Sequence, residues 1–487
     1  MIAEQGNRWT SVLSSLASLF AAACGTTAAP AAAETPRDAA SDAVSAPETG
    51  SPESDGSTSE GDAVQSIQHV VVIMLENWSF DSLYGEFDGA EGLSSASATI
   101  PQIDPATGMP YPTLPQEEPY LPMTLPNAPF ALNPYLPLTG KTAMDLTQKF
   151  YQEQMQIHDG KMDLFVAFDA AKGLTMGYFH TASLPLAAEA KKYVLCDHFF
   201  HSALGGSFLN HMWLVAAATP TFPDAPDSMK ALLDADGRPV SVDGGPLRDG
   251  PVTPDGFVVN TAYSVNSPHP AAAAQSSLLP NQVMPTIGDR LSEKGLDWAW
   301  YAGGWNDALA GQADSGVLFQ YHHHPFVYFA SFADGTAAKA AHLRDETDFV
   351  AAAQRGTLPA VSFVKPAGVD NEHPNYTDVL TGELHVANLI EQVRSGPNWK
   401  DSLIVVTYDE NGGFWDHVPP PHADRWGPGT RVPSILISPF ARQGFVDHTV
   451  YETVSILALI EHRWGLAPLG TRDAQATDLA AALNVPR

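Results

Sequence analysis

Two short apolar runs constrain this chain more than anything else in it: His69-Val70-Val71-Val72-Ile73-Met74 and Leu403-Ile404-Val405-Val406-Thr407-Tyr408. Neither alternates with polar residues, and both are rich in β-branched side chains. Each reads as a strand covered on both faces, as in a parallel sheet. Both stop abruptly at polar groups. The first runs into Glu76-Asn77, the second into Asp409-Glu410 and then Gly412-Gly413. Open α/β sheets place ligands at the carboxyl ends of their strands, and adjacent carboxylates repel unless something positive stands between them. Carboxylate and amide oxygens are hard ligands suited to Mg, Ca or Mn. The two strand ends make a cradle for a divalent cation if the strands are neighbours, which the sequence does not say. A solvated polar turn is the other reading of each end.

The rest of the chain alternates in the same way. Tyr193 to Cys196, Asp297 to Ala302, Ala360 to Val364 and Ser434 to Ile437 read as strands. Met284 to Lys294, Val379 to Val393 and Val450 to Trp464 read as helices, and residues 141–190 are helical in pieces. This alternation predicts an α/β protein with a mainly parallel central sheet in a three-layer α/β/α sandwich. Prolines across the stretch from about Pro101 to Gly140 forbid regular structure there, a candidate lid. Residues 219–283 read as a surface excursion. With no internal repeat and no second core, residues 66–487 are expected to form one domain, with insertions near 95–140 and 219–283.

Ser202 to His211 reads as a glycine turn, a hydroxyl residue and a helix start. Gly205-Gly206 lets backbone approach a ligand, and a helix amino terminus favours an anion. Ser207 is therefore where a phosphoryl acceptor belongs, unless it is only a helix cap. Of the consecutive His322, His323 and His324, two can share one ligand. His373 stands in the loop Asp370-Asn371-Glu372-His373-Pro374 after a strand. His158 and His417 are further candidates, each with a structural reading beside it. Asp197 and His201 stand in the same position.

Charge and targeting narrow the partners. The net charge of −30 leaves no basic surface for nucleic acid, though a bound metal can reverse the sign locally for a phosphorylated substrate. Two cysteines exclude a disulfide framework. Val12 to Ala23 fits the apolar core of an export signal over residues 1–24. Cys24, after three alanines and before glycine, resembles a lipoprotein cleavage site, so an exported protein is expected: periplasmic, secreted, or held at the cell surface by a lipid on Cys24. Residues 25–65, rich in Ala, Pro, Ser and acidic residues, read as a disordered tether.

Together the motifs HVVVIMLENWSFDSLYG, DHFFHSALGGSFLNH, YHHHPFVYF, DNEHP and VVTYDENGGFWDHVPPP resemble the bacterial acid phosphatase and phospholipase C phosphoesterase family, over about residues 66–465. The resemblance implies an alkaline-phosphatase-like fold and one divalent metal ion (Ca, Mg, Mn or Zn). It implies that Glu76, Asn77, Asp409, Glu410 and Ser207 bind the metal. Ser207 would be the nucleophile, and His322, His323 and His373 would hold phosphate or assist the leaving group. His158 is a candidate substrate contact apart from the resemblance. Trp78 departs from the family's usual Arg, at a position where only packing should change. His324 stands where relatives often have Gln. Gly206 to His211 lies closer to the acid phosphatase branch, which implies phosphate monoesters, with phospholipid diesters as the alternative. A catalytically inactive binding protein is a third reading. Cys196 lacks the Pro and Arg that the sulfatase signature would need. Arg431 reads as structural, tying the loop before Val432-Pro433.

Overall fold

The structure is a computed structural model that describes residues 60–96, 101–242, 245–314 and 316–484. The expected export signal and the tether up to residue 59 lie outside the described residues. The tether's last residues are helical instead: Glu60–Ser66 forms a helix. Ala63, Val64 and Ile67 are buried, one apolar stripe that gives this short helix a reason to dock. Residues Ser57–Arg487 form one compact unit.

Among the described residues the core is an eight-stranded sheet. In chain order its strands are β1 (His69–Leu75), β2 (Val194–Cys196), β3 (Trp298–Ala302), β4 (Leu343–Asp345), β5 (Val361–Lys365), β6 (Ser402–Tyr408), β7 (Ser434–Ile437) and β8 (Phe445–Asp447). Their spatial order is β8-β2-β7-β6-β1-β5-β3-β4. β1 lies between β6 and β5, parallel to both, with Leu75 opposite Tyr408. The two strands that carry the polar ends are thus immediate neighbours in register. Strand β7 runs antiparallel to β6 and to β2; the other pairings of the sheet are parallel. All seven residues of β6 are buried, as expected of a central strand covered by helices on both faces.

Six helices matter below: α1 (Phe150–Ile157), α2 (Ser207–Ala216), α3 (Ile287–Glu293), α4 (Glu346–Arg355), α5 (Val379–Ser395) and α6 (Thr453–Trp464). The sequence pattern missed β4, β8 and α4. The two strands have three residues each, too short for a period to show. The segment from Met176 to Lys192 is helical only from Pro185, because Gly177–Tyr178 pairs with Phe130–Ala131. That pairing and the ladder of Ile103–Asp104 with Met109–Pro110 give the proline-rich stretch a little regular structure. It packs down through Leu114, Leu132 and Leu136. Among the described residues no helix is long and apolar enough to cross a membrane.

Candidate active site

The carboxyl ends of β1, β5 and β6 meet at one point. Glu76 and Asn77 leave β1, Asp409 and Glu410 leave β6, Lys365 ends β5, and all five are buried. The chain turns sharply at Asn77, whose φ of 67° lies in the left-handed region, a conformation asparagine tolerates better than most residues. The Asn77 N–H donates to Asp409 Oδ1 at 3.1 Å, and the Glu410 N–H donates to the same oxygen at 2.8 Å. Gly412 closes the β6 turn against Asn77. A Cβ there would sit 2.1 Å from the Asn77 carbonyl oxygen, so only glycine fits.

Ser207 reaches this point from the other side. It is the first residue of α2, and Gly206 before it caps the helix without any side-chain bond. Ser207 is therefore not the cap, and its Oγ is free to donate to Glu76 Oε2 at 3.1 Å. Gly205 has φ 91°, and a Cβ on it would meet the Phe150 backbone nitrogen at 2.6 Å. Glu153 on α1 fastens the turn: it accepts from the Gly205 and Thr430 N–H groups and holds His201 Nε2 at 2.9 Å. His201 thus supports the turn from behind. Burial alone would lower its pKa, but the Glu153 carboxylate outweighs that and holds it above the usual histidine value.

Two residues join the site that sequence reasoning did not assign to it. Lys365 Nζ contacts Glu76 Oε1 and donates to the Met74 carbonyl at 3.0 Å. His211, one turn along α2 from Ser207, bonds through Nδ1 to the Ser207 carbonyl at 2.7 Å. Its spacing from Ser207 was the signal that could have found it. Glu76, His211 and Asp409 offer ligand atoms that all lie within 4.8 Å of one another.

The histidine stretch divides. His323 is buried, with Nδ1 3.4 Å from Glu76 Oε1, and its ring stacks on His211 at 5.0 Å. His322 lies half-buried against His323. His324 turns away between Trp305 and Trp300. His373 is buried on the face of Tyr376. Its loop is held onto the end of β1, because the Glu76 N–H donates to the Asn371 carbonyl and Trp78 Nε1 donates to the Glu372 carbonyl. Trp78 also stacks on Phe414 at 4.4 Å, a packing role.

His158 is not brought together with these groups. Its Nδ1 pairs with Asp163 Oδ1 at 2.6 Å, and it lines a separate cleft with Tyr151, Met155, Phe168 and Arg238. The reason is local: His158 ends α1 in a left-handed conformation that points the chain toward the 159–163 turn. His417 goes elsewhere too. It pairs with Asp81 at 2.6 Å, within a buried lattice in which Arg431 binds Asp416 at 2.9 Å and Asp81 at 3.1 Å. Arg431 ties the polar tails of β1 and β6 together, the structural part its sequence context suggested.

The electrostatics of the cradle are those of surplus negative charge. Burial first, and then Asp409, push the Glu76 carboxyl well above the usual range, against the pull of Lys365. Burial and Asp409 raise Glu410 in the same way. Among the described residues Asp409 Oδ2 has no hydrogen-bond donor. One end of the Asn77 amide lies 3.1 Å from Glu76 Oε2 and 3.0 Å from Glu410 Oε1, and the other lies 3.0 Å from His373 Nε2. With its NH2 toward the carboxylates the amide donates to both of them; with its carbonyl there instead, three oxygens converge as ligands for a cation. A divalent ion would also return both glutamates to their charged form. These residues fit a metal.

A mainly parallel α/β/α sandwich with a serine-bearing helix end set against an oxygen-rich cradle at its strand ends is the class that fold and site define. The chain belongs to the Phosphoesterase family, whose profile matches residues 67–467, a family of hydrolases of phosphoric ester bonds. It is 26% identical to phospholipase C B of Mycobacterium tuberculosis over 467 residues, covering 86% of this chain and 78% of that protein. It is 24% identical to the hemolytic phospholipase C of Pseudomonas aeruginosa over 445 residues, covering 83% of this chain but 53% of that one, so it spans about half that relative's length. A solved protein of the alkaline phosphatase superfamily from Vibrio parahaemolyticus aligns with a TM-score of 0.31 and 10% identity over 70% of this chain and 73% of that one. That likeness is too loose to carry an argument; the fold rests on the sheet itself.

Proposed function

We propose that the protein is a metal-dependent phosphoesterase that works through a phosphoserine on Ser207. The observation that carries this reading is the Ser207 hydroxyl at the amino end of a ten-residue helix, 3.1 Å from Glu76 in the cradle. Glu76, Asn77, Asp409, Glu410 and Ser207 would hold one divalent ion, with His211 the added candidate from the geometry. When bound, that ion supplies the positive charge that lowers the serine's pKa and offsets charge on the phosphoryl oxygens.

The chain's own groups do the rest. Ser207 Oγ attacks phosphorus as the bond to the leaving oxygen breaks, and its proton has an acceptor in Glu76 Oε2. The helix end favours the anionic phosphoryl group. His323 and His373 line the same space as hydrogen-bond donors, with His322 beside them. Burial, with Lys365, pushes His322 down to about 4, and burial, with His322 and then Lys365, pushes His373 down to about 3. In the free protein these rings are neutral and donate from N–H. A leaving alkoxide takes its proton from this group or from water. Water then attacks phosphorus, the P–O bond to Ser207 breaks, and serine and phosphate are released.

The substrate class follows from the Gly206 to His211 motif, which favours phosphate monoesters. Phospholipid diesters are the second reading, favoured by the names of the curated relatives. The protein as exported to the periplasm or surface would meet either. The test is hydrolysis of a chromogenic phosphate monoester beside a phosphocholine diester, each with and without chelator, on wild type and Asp409→Asn. Monoester cleavage lost with chelator and in the variant supports the reading. Cleavage of the diester alone moves the substrate to phospholipids, and chelator-resistant turnover overturns the metal's part.

A further inference from the structure

Among the described residues the proposed mechanism leaves two clusters of metal-ligating side chains unused, and one of them, Asp81, Asp416 and His417, is already taken up by Arg431. We propose that Asp197, His198 and His448 form a second divalent-cation site, for a borderline ion such as Zn²⁺, at the β8 edge of the sheet. Asp197 and His198 follow β2, and His448 follows β8. These strands are parallel neighbours with Cys196 opposite Asp447, so their carboxyl ends deliver the three residues to one place. It lies three strands from β1, roughly 14 Å at the usual strand spacing, too far to share an ion with the cradle.

The ligand atoms of the three residues all lie within 4.8 Å of one another. Each oxygen of the buried Asp197 carboxylate faces a different imidazole: Oδ1 lies 2.8 Å from His198 Nδ1, and Oδ2 lies 2.8 Å from His448 Nδ1. The Glu91 N–H also donates to Oδ2 at 2.7 Å. Two imidazole nitrogens and a carboxylate oxygen are the donors of three-ligand zinc sites, and two imidazoles are too soft a pair for Mg or Ca. The far side of His198 is already prepared. Its Nε2 lies 3.0 Å from Glu91 Oε2, which is how a carboxylate fixes a metal-binding histidine so that Nδ1 presents its lone pair.

Access and support are both present. His448 is 60% exposed at its side chain while Asp197 is fully buried, so an ion enters from solvent over a fixed carboxylate. Arg431 donates to the Asp197 backbone carbonyl at 2.8 Å, and its charge is taken up by Asp81 and Asp416. Behind the site, Tyr451 donates to Asp447 Oδ2 at 2.9 Å.

The experiment uses the full chain, stripped with chelator and then loaded with Zn²⁺ alone, with bound metal counted after gel filtration. Co²⁺ loading read by visible absorption reports imidazole ligation. His448→Ala is expected to lose one bound equivalent relative to wild type, with phosphoester turnover within twofold of wild type. His198→Ala should lose the same equivalent, and Asp409→Asn should keep it. Zinc should also raise the thermal midpoint of Asp409→Asn but not of the double variant Asp409→Asn with His448→Ala. Equal metal content in His448→Ala and wild type, at any stoichiometry of the cradle, would overturn the proposal. So would an equivalent lost from His448→Ala only together with turnover.

Discussion

Replacing Ser207 with alanine separates chemistry from folding, and the structure sets the size of both effects. The hydroxyl makes one hydrogen bond, to Glu76 Oε2 at 3.1 Å, and such a bond to a charged group contributes about 1.5–3 kcal/mol. Glu76 keeps Lys365 on its other oxygen, so it is not left alone. Because Gly206 and not Ser207 caps α2, no cap is lost, and alanine at the first helical position returns a few tenths of a kcal/mol. The net cost should be about 1–3 kcal/mol, a shift of a few degrees in a domain of this size. Turnover should fall far more. Loss of a nucleophile that acts as a unit with its neighbours costs on the order of 10⁴–10⁶-fold in kcat, or about 5–8 kcal/mol of transition-state stabilisation. The assay pairs kcat on a chromogenic phosphoester with a urea midpoint on the same preparation. Turnover above about one hundredth of wild type would remove Ser207 as the nucleophile. A stability loss beyond about 4 kcal/mol would show that the hydroxyl is structural and refute the geometry argued for it.

Two further outcomes follow from the groups around the cradle. Arg431→Met leaves Asp81 and Asp416 buried without their partner and should destabilise by about 3–5 kcal/mol; chemical denaturation showing less than 1 kcal/mol would mean the lattice contributes little. The His201–Glu153 pair gives a pH signature. The folded pKa of His201 is raised above its unfolded value, so its stabilisation is full below pH about 6.5 and is lost as pH rises through the folded value. The stability difference between wild type and His201→Gln should therefore shrink from pH 6 to pH 9 in urea titrations, and a difference that grows with pH would contradict the pairing.

Much of this protein was legible in its sequence. β1 and β6 declare themselves because a strand covered on both faces must be apolar at every position, a local rule that needs no knowledge of the neighbours. The residues where those runs stop, Glu76, Asn77, Asp409 and Glu410, stood out for the same reason, and Gly205-Gly206 marked Ser207 because only glycine makes that turn. What the residues do together was decided by tertiary structure. β1 and β6 are far apart in the chain, and only the sheet order sets their polar ends side by side. Lys365 lies just past the expected strand Ala360 to Val364, and it meets Glu76 only because β5 lies beside β1. His158 carried the right chemistry but lies at the end of α1, turned toward Asp163. Asp416 and His417, in the same motif as Asp409, are drawn off by Arg431 into a lattice that holds the loops. The period of a strand or helix fixes which residues are buried, whereas the direction a polar side chain takes at a strand's end depends on which element the fold places next to it.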